Sequence, residues 1–135
     1  MFNDIWGGKR VIIGLGVDII EIARIKKVYN KFPWKFVNKL FSDREQKKLM
    51  TLHNPNEYIS GRFAAKEAVA KAFGTGIGQV RWKDIEILTA DEGYPVVNLH
   101  GEALNKAEEL GVTKVYLSIS HSKTSAVANA ILWSD

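Results

Sequence analysis

Alternation governs the first stretch of the chain. Val11, Ile13, Leu15, Val17 and Ile19 fall on one face and Ile12, Gly14, Gly16, Asp18 and Ile20 on the other, which predicts a strand over Val11 to Ile20. The period then lengthens. Over Glu21 to Asn30, Ile22, Ile25 and Val28/Tyr29 recur at helical spacing as the inward side, with Arg24, Lys27 and Lys31 outward. Pro33 interrupts this helix, and Trp34 to Leu40 forms a second short piece. Ser42 followed by Glu45 is a capping box that opens a helix to about Met50. Asn54, Pro55 and Glu57 repeat the device for a helix to Phe73, with Gly74 as its left-handed stop. Asp84 to Thr89 and Tyr94 to Leu99 read as strands joined at Asp91-Glu92-Gly93. Glu102 to Leu110 is a helix closed by Gly111. Val115 to Ser120 and Ser125 to Leu132 are strands flanking the turn His121 to Thr124. Short turns force neighbouring strands to be antiparallel, so the expected class is α+β.

A length of 135 residues predicts a single domain, here 11–135, preceded by an amino-terminal extension, 1–10. The balance of 19 basic against 15 acidic residues suits an anionic partner without choosing one. Absence of cysteine excludes disulfides and thiolate metal sites. No apolar run nears the ~20 residues that span a bilayer, and Met1 to Arg10 has the reverse of a secretory signal's charge order. A cytoplasmic protein without membrane association is the expectation.

The candidate chemistry centres on Gly61-Arg62-Phe63-Ala64-Ala65-Lys66-Glu67-Ala68, continuing to Lys71 and the glycines Gly74, Gly76 and Gly78. One carboxylate and two lysines lie close together on a helix kept slim by alanine, before a loop whose amides could cradle phosphate oxygens. Glu67 and Lys71, one turn apart, would ordinarily be a surface ion pair worth ~0.3–0.5 kcal/mol. Asp18 would ordinarily cap the following helix. Read for function, Asp18 and Glu67 supply the one or two carboxylates that Mg²⁺ takes beside phosphates and water, with Gly14 and Gly16 giving access and Lys71 neutralising a diphosphate. His121 in a hairpin turn would ordinarily be a solvated turn residue; read for function, it sits among Ser120, Ser122, Lys123 and Thr124 in a donor cluster suited to a phosphate monoester. His53 and His100 have no such company. Arg24, Lys27 and Lys31 form a basic face that fits solvent, an acidic protein or an RNA backbone. No Ser-His-Asp spacing or His-rich metal motif is present.

Taken together, Gly14-Leu15-Gly16-Val17-Asp18-Ile19, the run from Gly61 to Gly78, and Ser118-Ile119-Ser120-His121-Ser122 resemble the holo-(acyl-carrier-protein) synthases, the short bacterial-type branch of the 4′-phosphopantetheinyl transferases. The likeness extends from about Val11 to Leu132. It implies transfer of 4′-phosphopantetheine from coenzyme A to a serine of apo acyl carrier protein, releasing adenosine 3′,5′-bisphosphate. It further implies Mg²⁺ on Asp18 and Glu67, the diphosphate on Lys71, and the nucleotide on Arg62 and His121, with Gly74, Gly76 and Ser122 alongside. Arg24, with Lys27 and Lys31, would dock the carrier protein's acidic helix. A homotrimer with each site between two subunits is also implied. The competing expectation is a non-catalytic module binding nucleotide or RNA, in which Asp18 and Glu67 would repel the ligand. The resemblance includes no nucleic-acid partner.

Overall fold

A computed structural model describes residues 11–135, so the expected extension 1–10 lies outside the described residues. Strand β1 (Val11–Glu21) leads into helices α1 (Ile22–Lys31), α2 (Pro33–Leu40), α3 (Asp43–Leu49) and α4 (Asn56–Ala72). A 3₁₀ turn, Trp82–Asp84, precedes the hairpin of β2 (Ile85–Thr89) and β3 (Pro95–Leu99). Helix α5 (Gly101–Leu110) and the hairpin of β4 (Lys114–His121) and β5 (Ser125–Ser134) complete the chain. The α+β class is as expected, and all strand pairs are antiparallel. The strands form two sheets, β1-β5-β4 and β2-β3.

Several boundaries move for local reasons. Pro33 does not break a helix but starts α2 at its first position, where its missing N–H costs nothing. The capping box forms as read, with Ser42 and Glu45 each accepting from the other's backbone N–H. The second device fails: Asn54 accepts from the Asn56 side chain, Pro55 sits at the N-cap, and α4 begins at Asn56 with no side-chain cap. Gly111 closes α5 at φ 76° as expected. His121 ends strand β4 instead of lying in the turn.

Helix α4 lies across one face of the three-stranded sheet, and small residues set its distance. In β5 the alternating Ala126, Ala128, Ala130 and Leu132 are buried, and the last three share one core with Ala64, Ala65, Ala68 and Ala72. Opposite them in register stand Ile20, Asp18, Gly16 and Gly14 of β1, after a slip between Ile12 and Gly14. A Cβ at Gly16 would come 2.0 Å from the carbonyl oxygen of Ala68, and one at Gly14 2.0 Å from that of Ala72. The expected access beside Asp18 is therefore corrected: the space left by Gly14 and Gly16 is filled by α4 itself.

The opposite parity of β1 is uncovered. Leu15, Val17 and Ile19 are 66%, 57% and 68% exposed, an apolar row on the sheet face away from α4, and Tyr116 on β4 is half exposed. A second core lies under α1 to α3, built on Ile25, Val37, Leu40, Phe41, Leu49 and Ile59. Ile22 and Ile25 point inward as expected, whereas Val28 is exposed.

Candidate functional site

The register of β1 turns Asp18 toward α4, and the helix presents Lys71 to it. Lys71 Nζ lies 2.8 Å from Asp18 Oδ1 and also donates to the Val17 carbonyl at 3.2 Å. Lys71 therefore pairs across to the strand, and the i,i+4 surface pair with Glu67 is absent among the described ion pairs. Glu67, half buried on the same helix, accepts a hydrogen bond at Oε1 from Trp82 Nε1, 3.2 Å away. Burial raises the Glu67 carboxyl above its ordinary range. The indole hydrogen bond opposes this, and the charge of Asp18 adds to it. Asp18 and Glu67 are thus near enough to repel each other.

That repulsion is a test of fit for a hard cation. Among the described residues no group of three or more His, Cys, Asp or Glu comes together. An ion here would have two protein carboxylates and an open remainder, which matches the way Mg²⁺ shares its coordination with phosphates and water. The donor set fits the ion.

Arg62 and His121 stand elsewhere. Five residues before Glu67, Arg62 is displaced about 140° around α4 and ~7.5 Å along it. Its Nη2 donates to Thr89 Oγ1 at 2.8 Å, and its guanidinium lies 4.5 Å from the centre of the Tyr58 ring. Its Nε is buried without a partner. A cleft of about 400 Å³ brings it together with Glu57, Gly61 and His121, whose Nε2 lies 3.5 Å from Glu57 Oε2. Ser122 uses its hydroxyl locally, accepting from the backbone N–H groups of Thr124 and Ser125.

The glycine loop works differently from the amide cradle read in the sequence. The N–H groups of Gly74, Gly76 and Gly78 donate to the carbonyls of Lys71, Ala70 and Val80. All three residues have positive φ, at 82°, 65° and 141°. Beside Gly74 and Gly76, the place of a side chain is open space. The loop therefore offers a bare backbone surface after Lys71, with its three glycine amides already engaged.

Lys66 is the clearest correction. Counted in the sequence with the phosphate-binding charges, it is fully buried. Its Nζ donates to Glu45 Oε1 at 2.7 Å, to the Leu40 carbonyl at 2.7 Å and to the Trp82 carbonyl at 3.0 Å. Burial pulls this ammonium down to about 8 against the opposing pull of Glu45. Glu45 accepts in addition from the backbone of Ser42 and Ile87. The pair ties α2, α3, α4 and β2 together and leaves nothing for a ligand.

Two groups escaped the sequence reading. Glu86, buried on β2, is held by Ser42, by Arg44 at 2.7 Å and by His100 at 3.2 Å. Those bonds, above all Arg44's, lower its carboxyl to about 2. His100 thus has a partner after all. Trp82 is fifteen positions from Glu67, and no local spacing could have pointed to it. Arg24, Lys27 and Lys31 stand together on exposed α1 and form no ion pair among the described residues.

Comparison with known proteins follows the same geometry. The sequence model of the 4′-phosphopantetheinyl transferase superfamily matches residues 14–130. A holo-[acyl-carrier-protein] synthase of Natranaerobius thermophilus is 99% identical over 93% of this chain and 100% of its own length. One from Chlamydia caviae is 51% identical over 87% and 93%. Among solved structures, the Bacillus anthracis synthase in complex with CoA (3′,5′-ADP) has a TM-score of 0.78 at 39% identity, covering 92% of this chain and 98% of that one. The Helicobacter pylori synthase in complex with coenzyme A has the same TM-score at 31% identity, with coverage of 87% and 98%.

Proposed function

The chain belongs to the 4′-phosphopantetheinyl transferase superfamily as an enzyme of its holo-[acyl-carrier-protein] synthase kind, and we infer that it moves 4′-phosphopantetheine from coenzyme A to a serine of apo acyl carrier protein in an Mg²⁺-dependent reaction. The observation that carries this reading is the convergence of Asp18, Glu67 and Lys71 from a strand and a helix 49 or more positions apart in sequence. The serine oxygen attacks the β-phosphorus, the bond from that phosphorus to the bridging oxygen breaks, and adenosine 3′,5′-bisphosphate leaves with the electron pair.

Asp18 and Glu67 would hold the Mg²⁺. When bound, the ion supplies charge neutralisation for the diphosphate oxygens. Lys71 places a further cation there; its ammonium is half exposed and turns readily from Asp18 to a phosphate. Glu67 itself, or a water held near it, accepts the serine proton. Arg62 and His121 hold the nucleotide's phosphate, with Ser122 beside them; the buried, unpaired Nε of Arg62 is a donor ready for an anion. Gly74 and Gly76 let the substrate approach the backbone after Lys71.

The carrier protein docks on α1. Residues 22–42 carry Arg24, Lys26, Lys27, Lys31, Lys35 and Lys39 and no acidic residue, a surface suited to an acidic helix. The assembly is a homotrimer. The uncovered row of Leu15, Val17 and Ile19 supports it, being a face that a soluble chain buries. So does the separation of the Asp18 cluster from the Arg62 cleft, which lets a neighbour complete each site.

The test is mass spectrometry of apo acyl carrier protein incubated with the protein, coenzyme A and Mg²⁺. A gain of one phosphopantetheine on the carrier is expected, and none when Mg²⁺ is chelated. An unchanged carrier mass with the metal present overturns the reading.

A further inference from the structure

The Glu67 carboxylate does not find its orientation within its own helix; it is aimed from outside. Trp82 Nε1 holds Oε1 at 3.2 Å, and among the described residues Oε2 has no hydrogen-bond partner. Trp82 is itself held at three points, one on its backbone and two on its ring. Its backbone carbonyl accepts from the buried Lys66 ammonium at 3.0 Å. Its ring packs 5.9 Å from that of Phe63, one helical turn before Glu67. On another side the Lys39 ammonium lies 5.7 Å from the ring centre. Lys66 and Glu67 are sequence neighbours that point to different places: one clamps the main chain of Trp82, and the other receives its side chain.

We propose that Trp82 is a positioning residue, which locks one oxygen of Glu67 so that the other is presented to the cation shared with Asp18. The inference rests on the reading of Glu67 as a cation ligand given above. A carboxylate free to rotate would lose rotamer entropy on binding an ion with strict octahedral demands, and one held at a single oxygen has already lost it. Hydrogen bonds of this outer kind, when removed, typically lower metal affinity 10–100-fold. Lys66 extends the device by holding the backbone from which the indole projects.

The test is Trp82→Phe, which keeps a ring against Phe63 and removes only the N–H. Mn²⁺ is the probe, titrated by calorimetry into protein saturated with coenzyme A, with Glu67→Gln in parallel. Binding of Mn²⁺ about tenfold weaker in Trp82→Phe, with the KM for carrier protein and the melting temperature near wild type, supports the proposal. Wild-type affinity in Trp82→Phe, while Glu67→Gln loses Mn²⁺, overturns the positioning role and leaves the cation reading standing. Wild-type affinity in both variants overturns the two together. A second measurement needs no ring substitution: the Trp82 Nε1–H resonance in ¹H–¹⁵N spectra. It should move in Glu67→Gln, and an unmoved resonance removes the hydrogen bond on which the proposal stands.

Discussion

Lys71 reaches from the last turn of α4 to β1 and sets its ammonium 2.8 Å from the carboxylate of Asp18, 53 positions earlier in the chain. Asp18 is largely covered but the Lys71 ammonium is half exposed and screened by water, so as an ion pair the contact contributes little to stability, about 0–1 kcal/mol. Asp18→Ala should therefore melt close to wild type and lose Mg²⁺-dependent transfer by about 100-fold or more. Steady-state assay over a range of Mg²⁺ concentrations checks this. Undiminished turnover in both Asp18→Ala and Glu67→Ala would place the cation elsewhere.

A single methyl group at Gly16 tests the packing that brings these residues together. Its carbon would stand 2.0 Å from the Ala68 carbonyl oxygen, a backbone atom that cannot step aside alone. Gly16→Ala should cost about 3 kcal/mol or more by forcing α4 off the sheet. Urea denaturation measures it, and a midpoint equal to wild type would mean the helix lies farther from β1.

The buried Lys66–Glu45 pair predicts an asymmetry. Lys66→Met strands the Glu45 carboxylate in the core and should destabilise by about 3–5 kcal/mol. Lys66→Met combined with Glu45→Gln should recover part of that loss, since no uncompensated charge remains. Denaturant midpoints of the two variants decide it; equal midpoints would make the lost hydrogen bonds, not the stranded charge, the source of the cost.

Acid should loosen the protein through Glu86. Its carboxyl is held at about 2 in the folded chain, below the ordinary value of 4.5, so the folded state binds fewer protons than the unfolded state between those limits. Its contribution is complete above about pH 4.5 and is lost as pH falls through about 2. Water screens the exposed Arg44, so this contribution is about 1–2 kcal/mol. Thermal melts from pH 6 to 2 should show a decline that Glu86→Gln flattens, and an identical decline in the variant would assign it to other carboxylates.

Reversal of charge at Arg24 probes the proposed docking face without touching the Asp18 cluster. Arg24→Glu should raise the KM for carrier protein several-fold and leave coenzyme A affinity unchanged. Steady-state kinetics with each substrate varied in turn make the comparison, and an unchanged KM for carrier protein removes the docking proposal.

What could be read along the chain was local. The alternation in β1, the capping box at Ser42 and Glu45, and the glycine stop after α5 each depend on residues within a few positions, and each forms. Asn54 misled because its side chain has a neighbour, Asn56, nearer than the helix amides it was expected to cap. Lys66 misled because nothing in its spacing distinguishes a lysine aimed at Glu45 from one aimed at a ligand. Trp82 was invisible for the same reason, its partner being on another element.

The sequence alone determined the α+β class, the order of the elements, the family and the residues worth suspecting, because periodicity and motif spacing are properties of near neighbours. Only the tertiary structure decided which charges meet. The pairing of β1 with β5, and the close seat of α4 allowed by Gly14 and Gly16, set Lys71 against Asp18 and gave Lys66 to the core. Contacts between distant segments follow from packing, and packing is not written at any single position.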